Sequence, residues 1–119
     1  MQQTRTTFKS GSLKLEGVFF LPDGNRPSPC VIVCHPHPLY GGSMDNNVVD
    51  AVCEILALAS IAAFKFNFRG VGHSQGRYDE GRGEGEDAKN AIAYVSTLKN
   101  INPARLGLCG YSEIGRAHV

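Results

Sequence analysis

Cys30-Val31-Ile32-Val33-Cys34 is an unbroken apolar run with Pro29 just before it and Pro36 just after. A strand with one solvated face alternates apolar and polar residues, so a strand with no polar position is covered on both faces. The run is too short for a helix and is closed at both ends by prolines, which favours the strand. A doubly covered strand restricts the chain to folds in which helices lie on a sheet. The flanking sequence agrees. After a Pro/Gly-rich loop over residues 36–43, Val48, Val52, Ile55, Leu56 and Ala59 recur at helical spacing, and Ser43 or Asp45 can cap the helix they predict. Residues 61–68 form the next strand, with Phe64, Phe66 and Phe68 on one side and Lys65 and Asn67 on the other. A second amphipathic helix starts near Glu86, with Ala88, Ala91, Ile92, Val95 and Leu98 facing inward. Glu84, Glu86 and Asp87 crowd its start, where the helix dipole favours negative charge. Asn102-Pro103 ends that section, and residues 106–109 are the last strand.

Upstream, residues 6–9 and 13–21 alternate across Ser10-Gly11-Ser12 and read as a hairpin. Residues 22–27 form a loop. Strands alternating with helices give an α/β fold: a mostly parallel sheet with helices on both faces. The 119 residues hold one domain without repeats. Twelve basic and eleven acidic residues leave a net charge of +1, which supplies no field to hold nucleic acid or an anionic membrane. Met1-Gln2-Gln3-Thr4-Arg5 leads into no apolar segment, so no secretion signal is expected. The longest nearly apolar stretch, residues 55–64, is too short to span a bilayer, and a cytoplasmic location follows as the expectation. Cys30, Cys34 and Cys109 sit in strand patterns and Cys53 in a helix pattern, as reduced core thiols do. Cys34-His35-Pro36-His37 offers three metal ligands, but Pro36 stiffens the segment and no second cluster exists, so no metal is expected.

Two serines compete for a chemical role. Gly72-His73-Ser74-Gln75-Gly76 spells G-x-S-x-G, the sequence of a nucleophile elbow. An elbow needs a strand running into it and a helix leaving it, whose N-terminus helps hold an oxyanion. Ser74 has neither, so it reads as a turn residue. Gly110-Tyr111-Ser112 directly follows a strand, which makes Ser112 the candidate nucleophile. Two places after it stands Ile114 where a small residue is needed, and Gly115 comes one place late. Gly70-Val71-Gly72 with Gly76 is one residue too long for a dinucleotide fingerprint, and no phosphate-cradling G-x-x-x-x-G-K-[ST] occurs. In the loop His35-Pro36-His37-Pro38-Leu39-Tyr40-Gly41-Gly42 the prolines lack an N–H. A second oxyanion donor would therefore come from His37, Leu39 or Tyr40. The alternative is that this loop is merely tight, with His35 bonded to backbone.

The 35–42 block with Asp45-Asn46-Asn47, then Phe66-Asn67-Phe68-Arg69-Gly70-Val71-Gly72-His73-Ser74, then Gly110-Tyr111-Ser112, resembles the α/β-hydrolase superfamily. The likeness is greatest to its compact bacterial, dienelactone-hydrolase-like members. It implies an eight-stranded sheet in the complete protein, with roughly the first five strands present here. It also implies Ser112 as nucleophile, the backbone N–H of Glu113 as one oxyanion donor, no cofactor, and a small ester or related carbonyl compound as substrate. The acid and histidine of such a site would lie downstream, so this chain alone is expected to be inactive. Ile114-Gly115-Arg116-Ala117-His118-Val119 is what ATC GGA AGA GCA CAC GTC encodes, a common sequencing-adapter run. Residues 1–112 are accordingly expected to be the N-terminal part of one α/β-hydrolase domain, and 113–119 a non-native tail. The rival reading is a non-catalytic module that binds a small ligand or protein through the 35–43 and 69–85 loops. Sequencing the source locus across the codons for Tyr111 to Val119 separates these. The hydrolase reading expects an open frame with a small residue two after Ser112; a genomic stop after Val119 overturns the adapter explanation.

Overall fold

A computed structural model describes residues 1–24, 26–111 and 117–118. Ser112, Glu113 and the boundary expected between them lie outside the described residues. Strands β1 (Gln2–Ser10) and β2 (Leu13–Leu21) form the hairpin, in register from Gln2 opposite Leu21 to Ser10 opposite Leu13. Gly11, at φ 61°, takes the left-handed position of the two-residue turn. There follow β3 (Ser28–Cys34), a single 3₁₀ turn (Pro38–Tyr40), α1 (Asn47–Leu58), β4 (Ala62–Phe66), α2 (Arg82–Ser96), β5 (Ile101–Tyr111) and the two-residue β6 (Ala117–His118).

The sheet order is β1-β2-β4-β3-β5-β6. Only β4, β3 and β5 run parallel; β1, β2 and β6 are antiparallel to their neighbours, so the sheet is mixed around a parallel centre. From β3 the chain crosses to β4 on one side, then from β4 back over β3 to β5 on the other. Right-handed crossovers of opposite direction put their helices on opposite faces. Accordingly α1 packs its Val49, Cys53 and Ala57 on Val18, Phe20, Val33 and Ala63. On the other face α2 packs Ala91 and Val95 on Phe8, Phe19, Ile32, Phe64 and Phe66. There the Phe8 ring stands edge-on to Phe64 and Phe66, with centroids 5.6 and 5.5 Å away.

Several expectations are corrected. Asn46 caps α1, not Ser43 or Asp45: its Oδ1 accepts from the N–H groups of Val48 (2.9 Å) and Val49 (3.2 Å). Ser43 instead accepts from Asp45 N–H. The inward stripe of α1 is rotated by one position, to Val49, Cys53 and Ala57, leaving Ile55 66% exposed. Asn47, Asp50 and Glu54 share one side of the helix and leave a broad apolar arc, within which periodicity could not choose between neighbouring stripes; small Cys53 and Ala57 let it approach the sheet closely. Helix α2 begins at Arg82, four residues before Glu86, and contains Gly83 and Gly85 despite their poor propensity. Its first turn is held from within, because the Glu84 carboxylate accepts from the N–H groups of Asp79 and Gly81, 2.9 Å each. Strand β4 is shorter than expected, and β5 begins at Ile101, running through Asn102-Pro103 with a register shift opposite Ser28 and Cys30.

The cysteines are free, and burial pushes the Cys30, Cys34 and Cys53 thiols up to about 12, so they behave as apolar groups. Among the described residues no helix is long and apolar enough to cross a membrane.

Two strand glycines differ in what surrounds them. A Cβ on Gly17 would stand 2.5 Å from the Phe64 ring and 2.9 Å from the Lys65 carbonyl oxygen, whereas one on Gly107 meets only Val31 Cγ2 at 3.5 Å. In urea unfolding, Gly17→Ala is expected to cost about 1–3 kcal/mol by overpacking. Gly107→Ala should stay within about 0.5 kcal/mol of the parent.

Candidate functional site

In a parallel sheet a crevice opens outside the carboxyl ends of two strands whose following connections leave toward opposite faces. Here the connections that leave toward opposite faces are those after β3, to α1, and after β4, to α2, so that point lies between these two neighbours. On the other side of β3 its last residue, Cys34, pairs with Gly110 of β5. The loops after β3 and β4 meet at the same edge of the sheet.

Their shape is set by buried polar side chains. Asn67, just past β4, is buried; its Oδ1 accepts from Met44 N–H (2.8 Å) and its Nδ2 donates to Glu16 Oε2 (2.8 Å). Glu16 Oε2 also accepts from His73 N–H. Burial alone would raise the Glu16 carboxyl, but the His73 N–H, the Asn67 amide and the nearby His73 and Arg5 charges hold it below its usual range. Lys65, buried on β4, donates to the Met44 carbonyl (2.9 Å) and to Asp50 Oδ1 (3.1 Å), and its ammonium lies 5.6 Å from the Phe20 ring centroid. On the opposite face Asp87 is fully buried. It accepts from Arg69 N–H, from the Arg69 guanidinium (NH2 at 2.8 Å) and from Ser10 Oγ (2.6 Å). Those bonds push the Arg69 guanidinium above its ordinary value. The guanidinium also crosses Gly83, where a Cβ would come 2.5 Å from it.

Ser74 is a turn residue. Its buried hydroxyl donates to the Asn67 carbonyl (2.7 Å) and accepts from Glu16 N–H (3.0 Å), leaving it no freedom to act as a nucleophile. His35 is equally committed. Phe68 N–H donates to its Nε2 (3.1 Å), so the proton of the neutral ring sits on Nδ1 and is given to the Pro36 carbonyl (2.7 Å).

The three expected oxyanion donors differ in availability. Leu39 N–H donates to His37 Nδ1 (3.1 Å), and Tyr40 N–H donates to the His37 carbonyl (3.1 Å). Gly42 N–H bonds that carbonyl too, and a side chain on Gly42 would run into the Pro36 carbonyl. Among the described residues the His37 N–H has no acceptor, which leaves it as the unused one of these three. The other ring nitrogen, His37 Nε2, meets Tyr78 Oη at 3.0 Å, joining the β3 and β4 loops. Ser112 and Glu113 lie outside the described residues. Sequence reasoning gave Tyr78 no role, took Arg69 only as part of the turn after β4, and took Asp87 as a charge favoured by the helix dipole, not as the buried partner of Arg69. Among the described residues no three His, Cys, Asp or Glu side chains gather to hold a metal.

No protein-family profile matches the chain. Solved structures do, among them the following two. An α/β serine hydrolase homologue from Coxiella burnetii superimposes with a TM-score of 0.82 at 38% identity, over 94% of this chain and 53% of that one. An α/β serine hydrolase without a lid from Xanthomonas campestris gives 0.79 at 33% identity, over 93% and 51%. The chain belongs to the α/β-hydrolase superfamily. An uncharacterized protein of Rickettsia prowazekii is 46% identical over 76 residues, 64% of this chain and 31% of that protein. This superfamily chain thus spans about half the length of the solved structures and about a third of that curated relative.

The buried His35 makes stability depend on pH. Burial lowers its imidazole below the ordinary 6.5, against a smaller upward pull from the Pro36 carbonyl. The unfolded chain therefore binds the proton more readily than the folded one, and stability falls as pH drops below about 6.5 toward the lower folded value. Urea unfolding between about pH 7 and 5 should show a shallower slope for His35→Asn than for the parent, by up to about 1.4 kcal/mol per pH unit. Equal slopes would remove His35 as the cause.

Proposed function

We propose that the protein is a serine hydrolase, an esterase or related acyl hydrolase acting on a small ester or similar carbonyl compound, with Ser112 as nucleophile. The observation that carries this reading is the pairing of Cys34 with Gly110. It brings the chain out of β5 beside the loop that holds the unused His37 N–H, and Ser112 follows two residues later. In the reaction the Ser112 hydroxyl attacks the carbonyl and gives its proton to a downstream histidine. The bond to the alcohol breaks in a second step as that proton passes to the alcohol, and water then cleaves the acyl-serine to release the acid and restore the hydroxyl. The oxyanion formed between the first two steps is held by backbone N–H groups of His37 and Glu113, which are pre-oriented and need not reorganise. The base is not His35, whose two ring nitrogens are both engaged, nor His37, whose Nδ1 is occupied. A histidine and an acid from further along the whole protein would complete the triad, and without them the serine is a weak nucleophile. No metal or organic cofactor enters the scheme.

One observation favours the second reading, a non-catalytic binding module. Gly110 pairs with His118 and Tyr111 with Ala117, so β6 lies antiparallel beside the end of β5 rather than in a helix.

The test uses the full-length protein from the source locus. A fluorophosphonate probe should label it, and Ser112→Ala should abolish both labelling and ester hydrolysis. His37 sits at φ −53°, which a proline ring accepts. His37→Pro removes the N–H and His37→Ala keeps it, while both remove the imidazole. Relative to His37→Ala, the proline variant should lose about 100- to 1000-fold in kcat. A full-length protein that takes no label supports the binding module instead.

A further inference from the structure

Tyr40, His37 and Tyr78 form a continuous aromatic surface on the same edge of the sheet, built from two different loops. The His37 ring centroid lies 5.3 Å from that of Tyr40 and 5.2 Å from that of Tyr78, with interplanar angles of 59° and 51°. Leu39 and Tyr40 are 67% and 73% exposed, so apolar surface is presented to solvent at the loop that carries the unused donor. The hydrogen bonds around His37 also fix a proton's direction. Leu39 N–H occupies Nδ1, so the proton of the neutral ring resides on Nε2 and is donated to Tyr78 Oη. The Tyr78 oxygen is thus an acceptor toward His37, and its own hydrogen is left to point elsewhere. Among the described residues it has no acceptor. Partial burial and the Glu84 and Glu80 carboxylates push the phenol above its ordinary 10, so it carries that hydrogen at neutral pH.

The geometry points to Tyr40 and Tyr78 as specificity-determining residues. They form a wall that takes a flat, conjugated or aromatic acyl group, with the Tyr78 hydroxyl donating to an oxygen at that group's edge. The inference rests on the serine-hydrolase reading for the word acyl, but binding to the wall needs no reaction. Flat rings gain from offset or edge-on contact with aromatic side chains in a way that puckered rings of equal size do not.

The test is a titration of the isotope-labelled full-length protein from the source locus, carrying Ser112→Ala so that no ester is turned over, followed by the ring resonances of Tyr40, His37 and Tyr78 and the amide of Leu39. The probes are methyl benzoate and its saturated counterpart, methyl cyclohexanecarboxylate, which has the same ester and a puckered ring. Methyl benzoate should shift these resonances and bind about three- to tenfold more tightly than the saturated ester, the factor an aromatic contact of ordinary strength supplies. Tyr78→Phe, which removes one oxygen and keeps the ring, should weaken methyl 4-methoxybenzoate, which carries an oxygen at the ring edge, by a similar factor, while leaving methyl benzoate unchanged and the amide spectrum dispersed. Equal affinity for methyl benzoate and its saturated counterpart, shifts located elsewhere, or an unchanged affinity of Tyr78→Phe for methyl 4-methoxybenzoate each overturn the proposal. The outcomes separate from those of the hydrolase test. Discrimination without labelling of Ser112 in the full-length protein keeps the wall and ends the hydrolase reading. Labelling without discrimination does the reverse.

Discussion

Asn67 is buried at the point where β4 leaves the sheet, and its backbone and side chain together satisfy four groups on three other segments. Its N–H donates to the Glu16 carbonyl, its carbonyl accepts from Ser74, its Oδ1 accepts from Met44, and its Nδ2 donates to the Glu16 carboxylate. Any one of these groups left unpaired inside the protein would cost about 1–3 kcal/mol. The constraint is therefore a closed account of donors and acceptors. It ties the hairpin, the loop before α1 and the glycine turn after β4 to one residue, and the edge of the sheet where the site forms depends on it.

The two ionic groups beside Asn67 act in the same direction on opposite faces. Lys65 draws the start of α1 down through Met44 and Asp50, and Asp87 on α2 grips Arg69 just past the end of β4. Buried ion pairs add little net stability over well-packed apolar residues, since both charges lose hydration. What these two add is a fixed distance between each helix and the β4 loop. With that loop held from both faces, Tyr78 reaches His37 from a defined direction, and the His37 loop keeps its N–H free.

Much of this was legible in the sequence, and the limits have physical causes. The unbroken apolar run at 30–34 and the alternation of Phe64 and Phe66 with Lys65 and Asn67 identified a sheet covered on both faces. Hairpin, strand, helix, strand, helix, strand is the order observed. Ser74 was legible as a turn residue because a nucleophile elbow requires a strand and a helix, and neither adjoins it. The inward face of α1 was not legible, because the polar side made by Asn47, Asp50 and Glu54 is narrow and leaves an apolar arc wide enough for two neighbouring stripes. The early start of α2 was hidden by Gly83 and Gly85, whose poor propensity is overcome by the Glu84 cap and by Arg69 lying across Gly83.

The sequence by itself determined the fold class, the order of elements and the two loops that frame the site. Local patterns of polarity, proline and glycine carry that information over a few residues at a time. Only the tertiary structure decided which polar residues are buried, because burial depends on partners far along the chain: Ser10 lies 77 residues from Asp87, and His37 lies 41 from Tyr78. It also decided which of the three candidate N–H groups is left without an acceptor among the described residues. Leu39 and Tyr40 each carry an N–H as His37 does, but the 3₁₀ turn that folds back on His37 consumes theirs and spares its own.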